Sequence, residues 1–202
     1  IRETFSSCLV LIDRILSSFK CFDFIPLLLL RLYLAPIFFF AGLHKLEGID
    51  GVIAWFGSEQ GLNLPFPALM AWLATLTELV GGILLLLGLG IRLISIPLSI
   101  TMCVAVFAVH LPYGWLAIAD NQSFFANERV MDSADKLTRA IEILKTHGNY
   151  EWLTSSGNFV ILNNGIEFAV TYLVMLLVLL TSGGGWFVSV DYWVHRFYNQ
   201  VK

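Results

Sequence analysis

Three ionisable residues stand inside apolar stretches of this chain: Arg31 in LLLLRLYLAPIFFF, Glu78 in TLTELVGG, and Glu167 directly after Asn163-Asn164-Gly165-Ile166. A charged side chain at membrane depth costs ~2.5–3.5 kcal/mol on insertion scales, so such groups face partners or a polar cavity. Arginine keeps its charge when buried, and its fork can hold a carboxylate through two hydrogen bonds. Two carboxylates beside one arginine are also poised for proton exchange, because only one of them need stay ionised. The expected chemistry is ligand binding or proton exchange at an intramembrane polar seam of Arg31, Glu78 and Glu167. The competing reading is structural, with the same three charges locking helices in register.

A quinone would suit such a seam, since it needs an apolar slot for its tail and hydrogen-bonding groups at its carbonyl oxygens. Phe38, Lys45, Asn163 and Asn164 are the candidate cofactor-binding residues. Core packing or lipid contact is the plainer reading for at least two of Phe38, Phe39 and Phe40. Copper is the rival cofactor, because imidazole and sulfur suit it. His44 and His110 would be the ligands at the outer surface, with Met102 and Cys103 two turns deeper. Cys103 and His110 are ~10 Å apart along a helix axis, and a histidine at a helix end is otherwise an interfacial group. Cys8, Cys21 and Cys103 show no CxxC or zinc-ligand spacing. Haem, flavin and iron–sulfur motifs are not seen, nor are a nucleophilic triad or a nucleotide loop.

The elements that must position these residues follow from composition. Of 202 residues, 57% are hydrophobic and only 13% charged, with a mean hydropathy of +0.78. Soluble domains are nearer a quarter charged, so the chain reads as an all-α integral membrane protein. A helix needs about 20 apolar residues to cross the hydrocarbon, and four candidate spans are predicted at 25–46, 67–88, 91–111 and 159–181. They form a four-helix bundle in one membrane domain covering 1–202. Pro26 suits a first turn, and Pro36 is expected to kink the first span. Gly48 to Pro67 is expected to be an ordered loop with interfacial aromatics, and Gly88-Leu89-Gly90 a tight hairpin.

Residues 4–20 place Phe5, Leu9, Ile12, Leu16 and Phe19 on one face, predicting an amphipathic helix on the membrane surface or docked on protein. Between spans three and four, the connection 112–157 carries Val130, Leu137, Ile141 and Leu144 as a stripe on a cap helix ending near Gly148. After Gly183-Gly184-Gly185, the aromatic tail suits an interfacial belt. No cleavable signal peptide is legible, and a chain starting at Ile1 is expected to be trimmed or processed. Four spans put both termini on one side. Six Lys and Arg lie there against five opposite, and together with the short Arg92 hairpin this favours cytoplasmic termini. The net charge of −3 gives no support for a nucleic-acid partner.

The chain resembles the DoxX family of small membrane proteins. The resemblance rests on Arg31, Gly42-Leu43-His44-Lys45, Glu78-Leu79-Val80-Gly81-Gly82 and Gly88-Leu89-Gly90-Ile91-Arg92, covering residues 27 to about 110. It implies that Arg31, Lys45, Glu78 and Arg92 are the characteristic polar positions. The remainder is similar to the HvfX-type branch, associated with copper-responsive metal-binding peptides. That likeness is carried by Phe125–Arg129, His147–Tyr150 and Trp152–Glu167. Other relatives are associated with quinone-linked thiosulfate oxidation, so the resemblance implies redox work at a quinone pool. The function expected is a bacterial inner-membrane redox accessory protein binding a quinone or an electron-transfer partner at the Arg/Glu polar seam, whether or not it is itself an oxidoreductase component. The alternatives are copper handling, or a non-catalytic subunit whose surface helices recruit a membrane or periplasmic partner.

Overall fold

The computed structural model describes residues 22–200; the predicted amphipathic segment at 4–20, with Cys8 and Cys21, lies outside the described residues. Among the described residues the architecture is all helical, with one isolated bridge between Ile118 and Leu162 in place of any strand. The helices are α1 (Phe24–Glu47), α2 (Ile49–Gly57), α3 (Pro67–Leu87), α4 (Ile91–Val104), α5 (Glu128–His147), α6 (Tyr150–Leu153), α7 (Glu167–Ser182) and α8 (Val190–Gln200). Beyond Val104, α4 continues as a π-helix over Ala105–His110 and a short 3-10 turn over Leu111–Tyr113.

Three of these are long and apolar enough to cross a membrane: Phe24–Glu47, Pro67–Leu87 and Ile91–Tyr113. Their outer faces leave Leu29, Leu32, Leu73, Leu76, Ile83, Leu93 and Phe107 exposed. Apolar surface of that extent fits lipid and not water. The inner faces close on Leu34, Phe38, Leu85, Ile91, Leu98, Leu176 and Leu179, which form the buried core.

Leucine-rich runs favour helix, and the boundaries are set locally. Pro67 opens α3, where its missing N–H is no loss. Gly88 closes it in the left-handed conformation (φ +72°), with its N–H returning to Leu84 O. Helices α1 and α3 cross almost backbone to backbone. A Cβ at Gly42 would stand 2.7 Å from Leu79 N, and one at Gly82 would stand 2.7 Å from Phe39 N. Small residues permit this approach in a bilayer, where packing must do what hydrophobicity cannot.

Two expectations change. The Gly48–Pro67 connection is not all loop, because Ile49–Gly57 forms α2. The fourth apolar segment is helical only from Glu167, so α7 has 16 residues and rises roughly 24 Å. Residues before it run instead as an extended strap. Asn163 N and Asn164 N donate to Ala117 O, Gly165 N to Leu116 O, and Glu167 N to Trp115 O. Gly165 is what lets the strap sit so close, since a Cβ there would lie 2.5 Å from Leu116 O. Hydropathy does not separate the strap from a helix, because Phe159-Val160-Ile161-Leu162 is as apolar as a span start.

The cap helix is found at Glu128–His147, with Asn127 Oδ1 accepting from Val130 N and Gly148 following its last turn. It is tied to the bundle through Asn127 Nδ2, which donates to Tyr113 O, and Arg129, which lies over the Tyr113 ring.

Candidate functional site

The charges gather at two separate poles. At the pole beside the Gly183–Gly185 turn, Arg31 is 1% exposed and donates only to backbone. Its Nε bonds Leu85 O at 2.9 Å, Nη2 bonds Leu86 O at 3.1 Å, and Nη1 bonds Gly184 O at 2.6 Å and Val188 O at 3.4 Å. Leu85 and Leu86 belong to the last turn of α3, whose carbonyls lack intrahelical partners and carry the negative end of the helix dipole. The guanidinium therefore clasps the end of α3 to the glycine turn after α7. Gly88 makes room for it, because a Cβ there would collide with the guanidinium.

The expected pairing of Arg31 with Glu78 is thus not formed. Glu78 lies seven residues up α3 from Leu85, ~10 Å along the axis, while the arginine reaches the other way. Its nearby anion is Asp191 at the start of α8. Asp191 itself accepts from Gly90 N (2.6 Å) and Ile91 N (3.0 Å), capping α4 from a distant part of the chain. Sequence reading missed that role. Ser189, just before α8, is a recognisable cap, and its Oγ accepts from Tyr192 N. What α8 docks against, however, is not written in its own residues.

At the opposite pole, Glu78 meets Lys45. The Lys45 Nζ lies 2.5 Å from Glu78 Oε2, with the glutamate side chain 3% exposed and the lysine 30%. The α1–α3 crossing at Gly42 positions the pair, since Lys45 is one turn beyond that contact. Arg31, Ala35, Phe38, Gly42 and Lys45 follow one stripe of α1, and the first four of them are buried.

The pair borders a cavity of about 590 Å³. Phe38, Trp55, Phe56 and Met102 supply apolar wall, while Thr77, Thr101, Tyr172 and His110 add polar groups. Such a volume is within the ~300–1,000 Å³ range of small-molecule sites, which are mostly apolar with a few placed polar groups. A second hollow of about 710 Å³ lies at the Arg31 end, beside Arg92, the Gly183–Gly185 turn, Asp191 and His195.

Glu167, Asn163, Asn164 and His44 do not line the cavity beside Lys45 and Glu78. Glu167 is in the first turn of α7, where its Oε2 accepts from Ala117 N at 2.9 Å. Asn163 is 2% exposed and is consumed by the strap. Its Nδ2 donates to Tyr113 O and Leu116 O, and its Oδ1 accepts from Arg129 Nε. Asn164 adopts φ +62° and offers its carbonyl to His110 Nδ1 at 2.8 Å. His44 is exposed beside Glu47, 3.6 Å away. Among the described residues no three His, Cys, Asp or Glu side chains gather as a candidate metal site.

The DoxX family model matches residues 26–111, the stretch holding α1 through the π-helical end of α4 and both poles' cations. Over 101 residues the chain is 35% identical to "Putative oxidoreductase CatD" of Bacillus subtilis (strain 168), covering 50% of this chain and 71% of that protein. The chain belongs to the DoxX family. No solved structure matches it.

Proposed function

We propose that this DoxX-family membrane protein is a redox accessory protein that binds a quinone in the cavity bordered by Lys45 and Glu78. One observation carries the reading: a lysine–carboxylate pair at the rim of an apolar cavity walled by Phe38, Trp55, Phe56 and Met102. Lysine holds three N–H donors and Glu78 engages one, which leaves donors for a ligand oxygen. The carboxylate beside it can exchange a proton. CatD's name adds the oxidoreductase class from a relative.

In this reading the ligand end of the expected seam is Lys45–Glu78, while Arg31 and Glu167 act on the fold. The protein sits in the bacterial inner membrane with α7 as a short fourth span and both termini cytoplasmic. The electrons reach or leave the quinone through a partner protein docking outside the bundle, where Phe124 is 95% and Trp152 70% exposed. The test is to purify the protein in lipid nanodiscs, extract and quantify quinone, and titrate added decylubiquinone against the fluorescence of Trp55. Bound quinone with saturable quenching is expected. Protein free of quinone and indifferent to the titration would overturn the reading.

The copper-linked branch is a second proposal, supported by the Phe125–Arg129, His147–Tyr150 and Trp152–Glu167 stretches. Metal analysis of a variant with both His44 and His110 replaced by alanine tests it; unchanged metal content would remove those two as ligands.

A further inference from the structure

His110 stands at the end of the π-helix and borders the same cavity as Lys45 and Glu78. Its Nδ1 is 2.8 Å from Asn164 O. A carbonyl oxygen only accepts, so Nδ1 carries the proton in this contact and the neutral ring has its lone pair on Nε2. Among the described residues no partner takes up Nε2. Two features of the fold converge on this arrangement. The strap turns at Asn164 in the left-handed conformation (φ +62°), which presents its carbonyl to the ring. The helix widens over Ala105–His110 into a π-turn, a distortion that gathers at functional sites because it re-aims side chains. Ala105, Val109 and His110 of that turn all border the cavity.

Of the polar groups bordering the cavity, Lys45 is a donor, Glu78 and the neutral His110 ring (through Nε2) are acceptors, and the Thr77, Thr101 and Tyr172 hydroxyls are both. An oxidised quinone offers two oxygen acceptors and no donor, so it can answer Lys45 but not His110. A hydroquinone answers both, because each hydroxyl can accept and can also donate.

We propose that His110 is a specificity-determining residue that selects the reduced, hydroxyl-bearing ring, its Nε2 accepting a hydrogen bond from a ligand O–H while Lys45 donates to another ligand oxygen. This rests on the quinone reading above. It reassigns His110 from metal ligand to acceptor for a dihydroxy-aromatic headgroup, and it makes the Asn164 carbonyl the element that holds the tautomer.

The test uses full-length protein in nanodiscs with three probes: decylubiquinol, its bis-methyl ether and decylubiquinone, each titrated by tryptophan fluorescence under anaerobic conditions. The wild type is expected to bind the quinol about tenfold more tightly than the ether, which keeps both oxygens but has lost its donors. In His110→Phe that ratio should fall to about one. In His110→Gln, whose amide oxygen can still accept, part of the preference should return. A wild-type ratio near one overturns the assignment without any variant, and so does a tenfold ratio that survives in His110→Phe. If none of the three probes binds the wild type, the quinone reading fails as well. If they bind without discrimination, the selection by His110 alone fails.

Discussion

Arg31 and Lys45 lie on the same stripe of the same helix, and both bring a positive charge into the bundle, yet they are answered in opposite ways. Arg31 is enclosed and bonded to four backbone carbonyls from two parts of the chain. Lys45 is partly open and bonded to a single carboxylate at the edge of a cavity. Backbone carbonyls do not titrate, so Arg31 is committed to holding α3 against the turn after α7. A carboxylate can exchange a proton, and a lysine has donors to spare. Burial of a charge in a membrane is therefore not itself a sign of chemistry; the nature of its partners decides.

That contrast can be broken most forcefully at Arg31. Arg31→Met should leave the end of α3 and the Gly184 carbonyl unanswered, at a cost of about 1–3 kcal/mol for each buried carbonyl left without a partner. Loss of monodisperse protein in detergent, or a steep fall in its melting temperature, is expected. A well-folded Arg31→Met protein with lost quinone binding would invert the division between the poles.

Glu78→Gln should act on the other side of the comparison. Quinone affinity should fall by roughly tenfold or more, in line with a lost charged hydrogen bond, while the protein still assembles. Binding constants and the melting temperature, measured on the same nanodisc sample, separate the two effects. Smaller again is Gly88→Ala, which forces an alanine to φ +72° and crowds the Arg31 guanidinium. A loss of at least about 1 kcal/mol in stability is expected, with ligand affinity unaltered. The smallest effect belongs to Glu167→Gln. Its amide oxygen can still accept from Ala117 N, so quinone affinity should stay within about twofold. A collapse of binding in that variant would return Glu167 to the ligand site.

Much of the fold was legible, because its signals are local. Helix α1 carries one apolar run from Phe24 to Leu43 with Arg31 set into it, and the cap helix announces itself through an amphipathic stripe and Gly148. The strap was not legible. Phe159 to Ile166 reads as the start of a span, and only the pairing with Trp115–Ala117 makes it extended. The candidate site was partly legible for the same reason. That Glu78 needs a partner follows from its depth, but the choice between Arg31 and Lys45 depends on which way each side chain leans across a helix crossing.

The sequence by itself determined the solvent and the inventory: a bilayer protein with charges that had to be answered inside it. Hydropathy and helix period settle that, because they depend on each residue's own transfer free energy and on neighbours within a few turns. Only the tertiary structure decided the pairing. The Gly42–Gly82 crossing sets Lys45 beside Glu78, and the end of α3 offers Arg31 its carbonyls. Asn164, more than fifty residues away in the chain, fixes the ring of His110. Those are contacts across the chain, and their geometry comes from how helices pack.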